Sequence, residues 1–161
     1  MKISRFMSHI DSMARQNRFE VEIFNPALGI RIRGMRVSKA AIPGRKITSD
    51  AYSEIPSGPA RKYIQKVEYD QEVTITFLGD NTYQDRQAIE AWMESMYDAD
   101  YAMKYLYDAD GGYTGTVVLR QLDRSDDAIY EVELIEAFPE ALSGFSLDTS
   151  SSAIQTFDVT F

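Results

Sequence analysis

Apolar and polar residues alternate along much of this chain with a period of two, the pattern of strands that bury one face. In Arg18–Phe24, Phe19, Val21 and Ile23 face one way and Glu20 and Glu22 the other. Glu72–Leu78 repeats the pattern, with Val73, Ile75 and Phe77 set against Thr74 and Thr76. Thr114–Leu122 reads as a further strand, and in Ile129–Phe138 Tyr130, Val132 and Leu134 alternate with Glu131 and Glu133 until Pro139 ends the run. After a polar loop, Ser143–Ser152, the stretch Ala153–Phe161 places Phe157, Val159 and Phe161 opposite Thr156, Asp158 and Thr160. Ile30–Ser38 reads as one strand carrying Arg31, Arg33 and Arg36 on a solvated or interface face. Lys62–Tyr69 is expected to pair with Glu72–Leu78 across the tight connection Asp70-Gln71.

A helical period interrupts this twice. Ile3, Phe6, Met7, Ile10 and Met13 give a short amphipathic helix or docking arm over residues 1–16. The stronger case follows Gly79-Asp80-Asn81-Thr82, where Thr82 is expected to cap a helix. Its core stripe is Ile89, Trp92, Met93 and Met96, continued by Tyr97, with Asp85, Arg86, Glu90 and Glu94 on the far side. Asp98–Tyr113 is an acidic, Tyr-rich connector with room for a short strand at Tyr101–Leu106 and a turn at Asp110-Gly111-Gly112. Asn25-Pro26 and Asp123–Asp127 are further turns. Many strands, one firm helix and no βαβ alternation predict a mainly β (α+β) fold: an antiparallel β-barrel or sandwich with one packed α-helix.

One stretch fits no period. Ala41–Ala60 holds Pro43-Gly44, Ser49-Asp50, Pro56, Ser57-Gly58 and Pro59, with a strand fragment at Lys46–Tyr52. A connection this long inside a compact domain is usually functional or disordered. Ile42, Ile47, Tyr52 and Ile55 are too apolar for a disordered linker, so the segment is expected to protrude as a hairpin loop and pack on another molecule.

With 161 residues the chain suits a single domain, residues 1–161, and its 44% hydrophobic and 26% charged content is that of a globular protein. No apolar run reaches membrane-spanning length, and no membrane anchor or signal peptide is expected. The net charge of −8 argues against a grip on nucleic acid, which needs clustered Lys and Arg.

Candidate chemistry is sparse. There is no cysteine, so no thiolate site is available, and a catalytic triad or a His-rich metal site would have to be built on the single histidine, His9, near the N-terminus, and is not expected. Asp108-Ala109-Asp110 opens like a calcium loop, but the turn glycine would fall on Tyr113 and the bidentate acid on Leu119. Asp98 and Asp100 read as an acidic helix exit. Gly111-Gly112 lacks the Lys-Ser/Thr of a phosphate loop. No spacing selects a carboxylate pair among the 25 acids. Neither catalysis, nor a metal, nor a cofactor is expected.

Asn17-Arg18-Phe19-Glu20-Val21-Glu22-Ile23, the segment Ile42-Pro43-Gly44-Arg45-Lys46-Ile47, and Glu72–Phe77 leading to the Trp92 helix resemble the tail tube proteins of contractile-tailed, T-even-like bacteriophages. Ala137-Phe138-Pro139, Leu147-Asp148 and the closing Ile154–Phe161 extend the resemblance over nearly the whole chain in the same order. The chain departs by ending at Phe161, which puts aside contacts made through a longer tail. The resemblance implies a virion-tail subunit, assembled in the host cytoplasm into hexameric rings that stack as a hollow tube inside a contractile sheath. Its partners would be copies of itself, the tail sheath protein, and baseplate and tail-terminator proteins. DNA would pass through the lumen without specific binding. In that setting Ala41–Ala60 would be an inter-ring loop anchored by Ile42, Ile47, Tyr52 and Ile55, and Asp123, Asp126, Asp127, Glu131 and Glu133 would give the lumen its acidic lining. A baseplate tube-initiator, or the tube of a bacteriocin or secretion system, would share the fold. A monomeric ligand-binding β-barrel and a carboxylate hydrolase are the alternatives of other classes.

Overall fold

A computed structural model describes residues 14–33, 36–52, 61–97, 112–150 and 152–161. Among them are the strands β1 (Phe19–Asn25), β2 (Ile30–Arg33), β3 (Val37–Ala40), β4 (Arg45–Tyr52), β5 (Arg61–Tyr69), β6 (Thr74–Leu78), β7 (Gly115–Leu122), β8 (Ala128–Ala137), β9 (Ala141–Leu142) and β10 (Thr156–Thr160), and one helix, α1 (Gln84–Glu94). Two antiparallel four-stranded sheets form, in the orders β2-β1-β7-β8 and β3-β6-β10-β9, while among the described residues β4 and β5 pair only with each other.

Register explains the core. Val21 lies opposite Leu119 and Ile23 opposite Val117, and the same columns continue to Val132 and Leu134. In the second sheet Val159 faces Ile75 and Phe157 faces Phe77, their rings stacked at 5.3 Å. These inward residues meet in a single buried cluster, so the mainly β expectation holds as a two-sheet sandwich.

Helix α1 closes one mouth of the sandwich. Ile89 and Trp92, three residues apart on one face, are fully buried. The Trp92 ring lies 6.1 Å from that of Phe161, and its Nε1 donates to the Tyr113 carbonyl at 2.6 Å. Gly115 makes room for it: a Cβ there would sit 2.7 Å from the indole and 2.5 Å from the Phe24 carbonyl oxygen. Met93 and Met96 are partly buried against the same cluster, Met96 lying just beyond the helix end. Arg86 is not on a purely solvated side. Its guanidinium stacks 4.9 Å from Phe145 and 5.4 Å from Phe157 and donates to the Ser143 carbonyl, which holds the loop before β10 onto the helix.

Three expectations are corrected. Ile30–Ser38 is not one strand, because β2 and β3 belong to different sheets; Gly34 stands in the sequence between them. β5 pairs with β4 and not with β6, whose two edges are taken by β3 and β10. Thr82 does not cap α1: the N-cap is Tyr83, at φ 51° and without a side-chain cap. The Thr82 hydroxyl bonds Asp80 instead. The short strand β9, which pairs with β10, escaped the periodic reading because two residues carry no period. Residues 1–13 with His9, the expected loop anchor Ile55, the strand expected at Tyr101–Leu106 and the acids Asp98, Asp100, Asp108 and Asp110 lie outside the described residues. Among the described residues no helix is long and apolar enough to cross a membrane.

Candidate assembly surfaces

Three surfaces are left unfinished by this fold. The first is the outer face of the β2-β1-β7-β8 sheet. Inward Val21, Ile23, Val117 and Leu119 force their neighbours outward, which brings Glu20 and Glu22 of β1 between Arg31 and Arg33 of β2 and Arg120 of β7. Glu22 is the hub. It accepts from Arg31 at 2.7 Å and from Arg120 at 2.9 Å, with Arg33 at 3.7 Å. The hydrogen bond from Arg120, then that from Arg31, hold its carboxyl at about 2, against an ordinary 4.5. Reciprocally, the bonds to Glu22 and Glu131 raise the Arg120 pKa.

The five acids expected to line the lumen fall into different roles. Glu131 is tied to Arg120 at 2.5 Å. Asp126 pairs with Arg18 at 2.8 Å. Asp123 accepts from the backbone N–H groups of Ser125 and Asp127 and so shapes its own turn. Glu133, beside Val118 on the same outer face as Glu131, and Asp127 are exposed. The face therefore sets three arginines (Arg31, Arg33, Arg120) against four glutamates (Glu20, Glu22, Glu131, Glu133), a mixed lattice with a small acidic excess. Sequence periodicity identified the acids' face, but pairing with arginines on two other strands could not be read without register.

The second surface is the pair of outer strands of this sheet, β2 and β8, each without a further strand paired to it among the described residues. β8 runs for ten residues with neither Pro nor Lys, and exposes Ile129 and Ile135. Natural monomers usually blunt such an edge.

The third is the β4–β5 ribbon. Every residue of β5 is exposed except Glu68, which is half-buried. Cross-strand partners share a face, and the register sets Arg45 with Tyr69, Ile47 with Val67 and Ser49 with Ile64. One side is thus apolar, with the Arg45 guanidinium lying 5.2 Å over the Tyr69 ring. The other side carries Lys46, Thr48, Asp50, Lys66 and Glu68, with Lys66 bonded to Glu68 at 2.5 Å. The register breaks between Thr48 and Ser49. Gln65 there bonds Asp50 while its neighbour Ile64 joins the apolar side. Of the expected loop anchors, Ile47 belongs to this apolar side and Ile42 lies exposed at the ribbon's root. Tyr52 ends β4, opposite Arg61. Ile64, Val67 and Tyr69 were missed because β5 was assigned to the body of the domain.

Opposite the mouth that α1 closes, the sheets part around a cleft of about 810 Å³ lined by Phe19, Val37, Ala40, Ile42 and Leu119. It is an open mouth of the sandwich, whereas the space between the sheets is filled by the buried cluster.

A family model described as phage tail tube protein matches residues 12–161. Among solved structures, a chain from an extracellular contractile injection system, the PVC sheath/tube terminator in the extended state, superposes with a TM-score of 0.65 at 12% identity, covering 92% of this chain and 90% of that one. A chain of the PVC sheath-tube complex in the extended state gives 0.62 at 12% identity, over 99% and 92%. One from the 6-fold symmetrised baseplate of the anti-feeding prophage gives 0.63 at 12%, over 92% and 90%. No curated protein sequence gives a significant match. At such identities the structural likeness carries the fold alone.

Proposed function

This chain belongs to the phage tail tube protein family, and from that premise we propose that it is a structural, non-catalytic subunit whose copies close into hexameric rings and stack into the hollow tube of a contractile particle. The observation that carries the reading is the β2-β1-β7-β8 sheet: it is packed on one face, charged on the other and, among the described residues, open at both edges. Pairing β8 of one copy with β2 of the next satisfies both edges at once, and repetition around an axis closes the sheets into a barrel. The packed face then looks outward to the rest of each subunit, and the Arg–Glu lattice lines the bore. Six-fold closure is favoured by the symmetry of the anti-feeding prophage baseplate, whose chain shares this fold.

In this reading the ribbon bridges successive rings and the outside of the tube meets the sheath. DNA passes through the bore without being held, in a particle assembled in the host cytoplasm. A second reading, a terminating, capping or initiating ring built on the same subunit, is favoured by the likeness to chains from a tube terminator, a terminating cap and a baseplate. Negative-stain microscopy of concentrated protein tests both. Long hollow rods are expected for a tube subunit and single rings for a terminal one. A protein that stays monomeric at every concentration, with and without a baseplate template, would overturn both.

A further inference from the structure

The ribbon and one exposed apolar loop sit at opposite poles of the same sheet. β6 runs from Thr74 to Leu78, and the ribbon leaves the sheet beside Thr74, through Tyr69 and Asp70. β3 reaches the ribbon from Ala40, which faces Ile75 at that same end. At the other end Thr156 faces Leu78, and the Gly79 N–H donates to the Gln155 carbonyl at 2.8 Å. The loop between β9 and β10 therefore lies at the pole away from the ribbon, a separation of about 13 Å along a five-residue strand. On this loop Leu147 is 85% exposed and Ile154 73%. The ribbon answers with Ile64 at 70% and Ile47 at 54%, beside Val67 and Tyr69.

Charge is divided in the same sense. The two ribbon strands hold five cations, Arg45, Lys46, Arg61, Lys62 and Lys66, against Asp50 and Glu68, in a chain whose net charge is −8. Around the distant loop Asp80, Asp85, Glu90 and Asp148 outnumber Arg36 and Arg86. A contact between different surfaces at opposite poles repeats without closing and builds a filament. We infer that the apolar side of the β4–β5 ribbon seats on the Leu147/Ile154 loop of the next copy along the axis, with Arg45 and Lys62, the cations that the register puts on that same side, facing the acids of that pole. The contact rests on the tube reading and gives it a polarity, ribbon end to loop end.

The absence of native cysteine makes the test clean. Ile64→Cys and Leu147→Cys are both exposed changes, so each variant should unfold at the wild-type temperature. In rods of the double variant, diamide oxidation is expected to give a ladder of multimers on non-reducing gels, collapsed by dithiothreitol. In rods mixed from the two single variants it should give dimers, and in rods of either variant alone it should give none. Ile64→Cys paired with Ile135→Cys, on β8, is the control and should not cross-link. Rods without the Ile64–Leu147 cross-link, or with cross-linking to Ile135 instead, would sink this contact while leaving the tube reading intact. If the wild-type protein forms no rods, the tube reading fails and takes the contact with it.

Discussion

At the scale of the residue, Glu22 is the most informative side chain. Alternation along β1 already placed it away from the core. Its role as a hub was not legible, because Arg31 and Arg120 reach it from two different strands, one of them 98 residues away. Its exposed partners would each contribute little alone, but the Arg120 bond is largely shielded, with side-chain exposures of 21% and 12%. Glu22→Gln should therefore cost about 2 kcal/mol at neutral pH, a Tm lower by roughly 4–8 °C for a chain of this size. The pH dependence has a definite sign. The folded carboxyl titrates at about 2, below the ordinary 4.5, so its contribution is complete above 4.5 and disappears as pH falls from there through 2. Thermal melts from pH 7 to pH 2 should show the wild type converging on the Gln variant across that window. Parallel curves would show that Glu22 is not the coupled group.

At the scale of the element, periodicity recovered faces well and partners badly. The strands of the two packed sheets show clean alternation because one side of each is pinned in the core, and α1 was legible through Ile89 and Trp92 for the same reason. β5 lacks that clarity. Its apolar positions shift from Val67 and Tyr69 to Ile64 across the register break, a slip that a core strand could not tolerate and a ribbon can. Read with that in mind, the slip itself marks the strand as lying outside the sandwich. The expected hairpin at Ala41–Ala60 was real in kind but too short, since its second strand is β5. Deleting only residues 41–60 would strip β5 of its partner. The better excision removes Arg45–Tyr69, because Gly44 and Asp70 already meet: the Gly44 N–H bonds the Asp70 carboxylate at 2.6 Å, and the Asp70 N–H bonds the Gly44 carbonyl at 3.2 Å. Closed with a Gly-Ser linker, this variant should melt within about 3 °C of wild type, since it removes no residue of the buried cluster. It should give isolated rings in place of rods in the microscope. An unfolded product would mean that the ribbon supports the domain and is not an arm.

At the scale of the whole molecule, the net charge of −8 was legible at once, but its distribution was not. The acids do not simply coat the sheet assigned to the bore. They are interleaved with Arg31, Arg33 and Arg120, which leaves one excess negative charge among the seven charged side chains of the lattice. Glutamates beside these arginines cancel most of their field, so such a wall neither attracts a polyanion nor repels it strongly over more than about 10 Å at 0.1 M salt. Glu131 and Glu133 give this assignment a sharp test, since both are exposed and neither belongs to the buried core. Glu131→Lys with Glu133→Lys turns one excess negative charge per subunit into three positive ones and releases Arg120 from one of its partners. If this sheet lines the bore, rods of the variant should retain labelled double-stranded DNA in a pelleting assay at low salt and release it as salt rises, while wild-type rods retain none. Retained DNA must also be protected from nuclease, because only enclosure separates a lumenal charge from one on the outer wall. Variant rods that hold DNA in a nuclease-sensitive form would place this sheet on the outside of the tube, and the barrel would have to be built from the other edges of the fold.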